Sequence, residues 1–225
     1  MISLYTKNKG KLKICEDSLT SHVFDLMKYL PVELFWSILK KSLYQDKLPD
    51  YCGEIEELLF WEKWNAKETG NTRFVEPDVF VRFKNFDIII EAKRYDNFQQ
   101  NEKQHQAQMQ SYLNEFEEES KTLYYIQLGG LHDKENVSNK IINNHEIIIC
   151  KTDWSSILSE VVKEKENFET VSISYLVPYK RILEDLIAGF ELHQFYKKSW
   201  LDSLTIDKPL QTQHINNFLS YVKRN

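Results

Sequence analysis

Within the stretch Phe74–Arg94, FVEPDVFVRFKNFDIIIEAKR, the charges Glu76, Asp78, Glu91 and Lys93 stand at the ends of two apolar runs. Carboxylate oxygens are the ligands that a hard divalent cation prefers, and Mg²⁺ takes only one or two of them, completing its octahedron with water and phosphate oxygens. Asp78 and Glu91 have the chemistry for that. Glu91 and Lys93 are two residues apart, so on an extended chain both point to one face. An ammonium there is suited to orienting or deprotonating an attacking water and to offsetting charge that develops on phosphorus. The chemistry that this set suits is metal-assisted hydrolysis of a phosphodiester.

Such a set works only if two strand ends hold it. Val75, Val79, Val81 and Phe83 alternate with other residues, which predicts one strand. Phe86 to Ile90 is a continuous apolar run, which predicts a buried central strand, and Lys84-Asn85 serves as the turn between them. Glu57 to Trp64 fits helix or strand by pattern; its aromatic content and the need of the Val75–Phe83 strand for a partner favour strand, with residues 66–71 as the hairpin loop. Residues 102–116 predict a helix packed through Ala107, Met109, Tyr112, Leu113 and Phe116. Gln108 and Tyr112, four apart, share a face of it.

Pro77-Asp78, then twelve residues, then Glu91-Ala92-Lys93 resembles the signature of the PD-(D/E)XK nuclease superfamily, the fold of many restriction endonucleases and of several repair and recombination nucleases. The resemblance implies Asp78 and Glu91 as ligands of Mg²⁺ or Mn²⁺ and Lys93 as the catalytic lysine. Gln108-Met109-x-x-Tyr112 resembles a further motif of the exonuclease-like branch, which implies Gln108 near the active site and Tyr112 holding substrate. Gln104, Gln106 and Gln110 compete with Gln108 for that assignment. The opening Glu16-Asp17-x-Leu19-Thr20-Ser21-x-Val23-Phe24 resembles that of a group of uncharacterised bacterial proteins carrying the same signature, and it implies Glu16 as a further acid of the site. Glu33, Glu54 and Glu57 are the alternatives. Apart from the resemblance, Glu16 also fits as an acid favourable to a helix N-terminus.

Around this centre the chain predicts a helix from about Glu16 to Leu30 and a second over 32–43 after Pro31. Strands follow at 122–128, ending in Gly129-Gly130, and at 146–150. Helices are expected over 154–165, 179–201 and 211–222, with Pro178 and Pro209 as boundaries. The expected fold class is α/β: a restriction-endonuclease-like core of helix, three strands, helix and two strands, with a central mixed sheet flanked by helices. The expected division is a core over residues 1–153 and a helical C-terminal extension over 154–225 packed on it. Phe190, His193, Phe195, Tyr196 and Trp200 form an expected packing stripe, with His193 on a helix face and His214 on the surface.

With 225 residues and 42% hydrophobic content, the chain can bury a sizeable core. Residues 1–13 lack an apolar h-region and no apolar run reaches membrane-spanning length, so the expected setting is cytoplasmic. Cys15, Cys52 and Cys150 are scattered, which predicts reduced thiols rather than disulfides or a zinc knuckle. His132-Asp133 invites a metal reading but is expected in a solvent-exposed loop, and neither His193 nor His214 has a partner at metal-ligand spacing. The net charge of −5 runs against nucleic-acid binding, since phosphate neutralisation supplies most non-specific affinity. A local basic face is still available from Lys7, Lys9, Lys11, Lys13, Arg82, Arg94 and Lys197-Lys198. The expected substrate is DNA, with RNA open, and Arg94 and Tyr112 are the candidates to bind it. Two other classes remain: a nuclease-fold binding or assembly module without turnover, in a defence system, and a plain α/β interaction protein in which Glu91 and Lys93 form a surface ion pair. Cleavage of both strands would favour a homodimer.

Overall fold

The computed structural model describes residues 5, 7, 10–95, 99–170 and 174–196. Their centre is a six-stranded mixed sheet in the order β1-β4-β5-β6-β8-β7, formed by β1 (Ile55–Phe60), β4 (Val79–Phe83), β5 (Phe86–Ala92), β6 (Thr122–Leu128), β7 (Lys140–Ile142) and β8 (His145–Thr152). β1, β4 and β5 pair antiparallel, and β5, β6 and β8 run parallel, so the C-terminal ends of these three lie together at Ala92, Leu128 and Thr152. The start of antiparallel β4 falls at that same edge. β5 is buried along its whole length, as its apolar run predicts.

The first predicted strand divides. Phe74–Val75 (β3) pairs with Trp64–Asn65 (β2) in a separate ribbon, and Val79–Phe83 alone joins the main sheet. Glu76-Pro77-Asp78 is the break, and Pro77, which cannot donate to a ladder, accounts for it. The expected 57–64 strand likewise starts at Ile55 and stops at Phe60; Trp64 belongs to the ribbon, and the expected 66–71 loop lies within that ribbon's turn.

Strand parity sorts the two faces. Ile88, Ile90 and Ala92 join Val79, Val81, Ile126 and Leu128 in a core covered by α1 (Glu16–Met27), α2 (Val32–Ser42), α4 (Trp154–Glu169) and α5 (Val177–Leu192). Phe80, Ile89, Tyr125 and Ile149 face the other way, onto Met109, Tyr112 and Leu113 of α3 (Glu102–Phe116). Asp87 and Glu91 share the parity of Ile89 and therefore lie on the α3 side. Trp154–Glu169 and Val177–Leu192 thus contribute α4 and α5 to the main core itself.

Local signals start the helices that matter here. Ser18 Oγ accepts from the N–H of Cys15 at 3.1 Å and closes a capping box at the start of α1, which leaves Glu16 in the first turn. Asn101 caps α3 by accepting from Lys103 N–H at 3.0 Å. Asp153 caps α4 through Ser156 N–H at 2.7 Å. The last helix ends at Leu192 rather than running to 201, and the expected 211–222 helix, Lys9, Lys197-Lys198, Trp200 and His214 lie outside the described residues. All three cysteines are free. Among the described residues no helix is long and apolar enough to cross a membrane.

Candidate active site

Asp78, Glu91, Lys93, Gln108 and Glu16 converge at the shared edge of β4 and β5. Asp78 Oδ2 accepts from the N–H of Ala92 at 2.8 Å, which ties the start of one strand to the end of the next. Glu91, only 1% exposed, is held on both oxygens: Oε1 accepts from the Lys93 ammonium in a short ion pair, and Oε2 from Gln108 Nε2 at 2.6 Å. The Lys93 ammonium also reaches Glu16 Oε1 at 3.2 Å and the Ala92 carbonyl at 3.0 Å. Glu16 Oε2 accepts from the Arg94 N–H at 3.1 Å. Glu16 arrives from the helical layer on one face of the sheet and Gln108 from α3 on the other, so the strand end is gripped from both sides.

Of the competing glutamines it is Gln108, fully buried, that reaches Glu91. Its amide also donates to the Glu76 carbonyl at 3.3 Å and accepts from the hydroxyl of Tyr125. Glu76 thus enters by its backbone.

Tyr112, expected to hold substrate, is 2% exposed, packs on Trp64, Phe80 and Phe116, and donates to Asp87 Oδ2 at 3.0 Å. Arg94, the other expected substrate contact, is engaged within the chain. Its guanidinium donates to the Tyr95 hydroxyl at 2.6 Å and the His193 carbonyl at 3.2 Å, and stacks 4.7 Å over the Tyr95 ring. His193 is no helix-face residue; it ends α5, buried, with Nε2 3.0 Å from Ser18 Oγ and Nδ1 2.8 Å from the Gly189 carbonyl. Phe190 is core as expected, whereas Tyr196 is exposed. Arg82 lies away from the site, in ion pairs with Glu57, Asp87 and Glu119. Lys7, Lys11 and Lys13 are exposed, as is His132, while Asp133 caps its own loop through Glu135 and Asn136.

Several residues escape a reading by motif. Gly129 and Gly130, at φ 70° and 63°, form the turn against which Lys93 packs. A Cβ on Gly129 would stand 2.2 Å from the Lys93 carbonyl oxygen, and one on Gly130 would stand 2.7 Å from Lys93 Cβ. Only glycine fits. The Lys93 backbone is fixed further by its N–H to Leu128 O at 2.7 Å and by Trp154 Nε1 on its carbonyl at 2.8 Å. A double glycine directly after a strong strand was the available signal. Tyr125, Gln100 and His105 carried none, because only the packing of α3 on the sheet brings them in.

The electrostatics follow from burial and from an excess of acid. Desolvation, and then the neighbouring Glu91 charge, push Asp78 up to about 7. Desolvation also raises Glu91, against the pull of Lys93 and Gln108. Burial opposes the charge on Lys93, but Glu91, Glu16 and Asp78 together outweigh it, so its pKa is raised and it is an ammonium at neutral pH. Burial takes His105 down to about 4. Asp78, raised by the charge of Glu91, forms with it a donor pair that a cation would relieve, and an ion taking only one or two carboxylates suits it. No group of three or more His, Cys, Asp or Glu side chains among the described residues is arranged to hold a metal ion.

An uncharacterised protein of Pasteurella multocida (strain Pm70), PM0110, is 31% identical over 215 aligned residues, spanning 87% of this chain and 76% of that protein. The chain belongs to that protein's family. No family model and no solved structure matches it. The relative's name assigns no chemistry.

Proposed function

We propose that this protein is a Mg²⁺- or Mn²⁺-dependent nuclease of the PD-(D/E)XK type, hydrolysing phosphodiester bonds of DNA. The observation that carries the reading is the convergence of Asp78, Glu91, Lys93, Gln108 and Glu16 at one strand edge, with an acid excess around a single ammonium. The element order supports a restriction-endonuclease-like core: α1 and α2, the antiparallel β1, β4 and β5, then α3, then the parallel β6 and β8. A divalent ion held by Asp78 and Glu91 would polarise the phosphate and acidify an attacking water. Lys93, charged at neutral pH, is suited to offset negative charge developing on phosphorus rather than to accept a proton. Glu16 and Glu91 fix the direction of its ammonium. Gln108, with its carbonyl end held by Tyr125, fixes the Glu91 carboxylate. The biological use by analogy is restriction of foreign DNA, or repair.

One observation favours a second reading, a nuclease-fold binding or assembly module without turnover: both Glu91 oxygens already have protein partners in Lys93 and Gln108. The deciding experiment is incubation of circular and linear DNA, and of RNA, with Mg²⁺, Mn²⁺ or EDTA, using wild type and Lys93→Ala. Metal-dependent cutting by wild type that the substitution removes supports the nuclease. Absence of cutting on every substrate, with no Mn²⁺ binding that depends on Asp78 and Glu91, sinks it in favour of the module.

A further inference from the structure

Beside the carboxylate of Glu91, its backbone is also gripped. Gln100 Nε2 donates to the carbonyl of Gly129 at 2.8 Å and to that of Glu91 at 3.3 Å, so one amide spans the ends of β5 and β6. The N–H groups of Gln99 and Gln100 add bonds to the Gly130 carbonyl at 3.0 and 3.2 Å. Two backbone carbonyls accept only from the NH₂ end, which fixes the direction of the Gln100 side chain. Its Oε1 therefore faces His105 Nε2 at 2.7 Å, and that nitrogen must carry the proton. His105 Nδ1 is then an acceptor, and Gln127 Nε2 lies 3.2 Å from it. The ring is 2% exposed, both nitrogens are committed, and its depressed pKa agrees with a neutral imidazole.

We infer that Gln100, oriented by His105, is a positioning residue that holds the Gly129–Gly130 turn and the Glu91 backbone so that the Lys93 ammonium stays on Glu91. Lys93 packs directly on that turn, and a shift of the turn moves the lysine. The catalytic meaning rests on the nuclease reading; the positioning itself does not.

The test uses the full chain, with Gln100→Met to remove the donors at similar volume, and His105→Leu against His105→Gln, the latter retaining an N–H for Gln100. Two quantities are measured: the ¹H–¹⁵N signal of the Lys93 ammonium in metal-free protein, assigned by its loss in Lys93→Gln, and kcat and KM for DNA cleavage with Mg²⁺. The expected result is loss or a clear shift of the ammonium signal in Gln100→Met and His105→Leu, its retention in His105→Gln, and kcat lower by about 10–100-fold with KM little changed, as for other outer-shell groups. An unchanged ammonium signal in Gln100→Met overturns the inference, and a lost signal with wild-type kcat overturns its catalytic meaning. If wild type cuts nothing but the signal still responds as expected, the positioning stands and the nuclease reading falls. Should Gln100→Met fail to fold, the His105 pair decides: equal signals in both variants overturn the inference.

Discussion

Two buried carboxylates stand on the same face of β5, Asp87 and Glu91, four residues and roughly 13 Å apart along the strand. Asp87 accepts from Tyr112 and lies 3.6 Å from both Arg82 and Lys121, two cations that also pair outward with Glu56, Glu57 and Glu119 on the surface. Its network has two cations on one buried acid, and the further acids are in solvent. Around Glu91 the proportion is reversed, with Asp78 and Glu16 joining it around the single ammonium of Lys93. Burial of an acid therefore does not mark a site. The second carboxylate crowded against the first is what distinguishes the Glu91 end, and it is the feature on which the proposed nuclease site rests.

Glu91→Gln should abolish metal-dependent cleavage while leaving the melting temperature equal or higher, because it removes the charge facing Asp78. Loss of stability with retained cutting would reverse the roles assigned to the two ends. Asp87→Asn should change unfolding free energy by no more than about 1 kcal/mol in denaturant titration, since burial already raises the Asp87 carboxyl against the pull of Arg82 and Lys121 and both cations keep outer partners. The folded variant should match wild type in the cleavage assay.

The pH dependence separates the ends further. The folded pKa of Asp78, about 7, lies above its ordinary value of 3.8, so its stability contribution is full below pH 3.8 and is lost as pH rises through 7. At about 1.4 kcal/mol per pH unit the loss is at most about 4 kcal/mol. His105 works in the other direction: lowered from 6.5 to about 4, it contributes above 6.5 and loses that contribution as pH falls through 4. The two offset each other between pH 4 and 6.5. Melting curves of metal-free wild type and Asp78→Asn should therefore diverge in slope, the variant gaining on wild type as pH rises toward 8; parallel curves would remove the strained pair. Mg²⁺ should stabilise wild type more at pH 8 than at pH 6, since the ion competes with the Asp78 proton.

Smaller effects test the two partners on α3. Gln108→Leu should lower kcat by about 10–100-fold, in line with other outer-shell groups. Tyr112→Phe should leave kcat unchanged and cost about 1–2 kcal/mol in unfolding free energy, the range for a hydrogen bond to a charged acceptor. A kcat loss in Tyr112→Phe would restore that tyrosine to the substrate.

Local patterns carried much of this architecture. The apolar run of β5 announced a central strand, the spacing of Ala107, Met109, Tyr112, Leu113 and Phe116 announced α3, and Asp78, Glu91 and Lys93 stood at strand ends where their types suggested chemistry. Pro77 carried a warning as well: without an N–H to donate, it splits the strand that alternation alone predicts, and so places Asp78 at the edge of the main sheet. Parity of 2.0 residues per repeat also put Asp87 and Glu91 on one face, since it is a property of the extended backbone itself. The partners of those two acids were decided elsewhere. Gln108 and Tyr112 share one helix face, yet one reaches Glu91 and the other Asp87, because α3 lies along β5 and distributes its side chains between the two ends. Glu16 meets Lys93 across 77 residues of chain, Gly129-Gly130 gives Lys93 its place, and Gln100 and His105 close behind them. Distances between such groups depend on how layers dock rather than on any local conformational preference. The residue types set what chemistry this chain can perform, and only the packing of two helical layers on a sheet edge decides which acids share a cation.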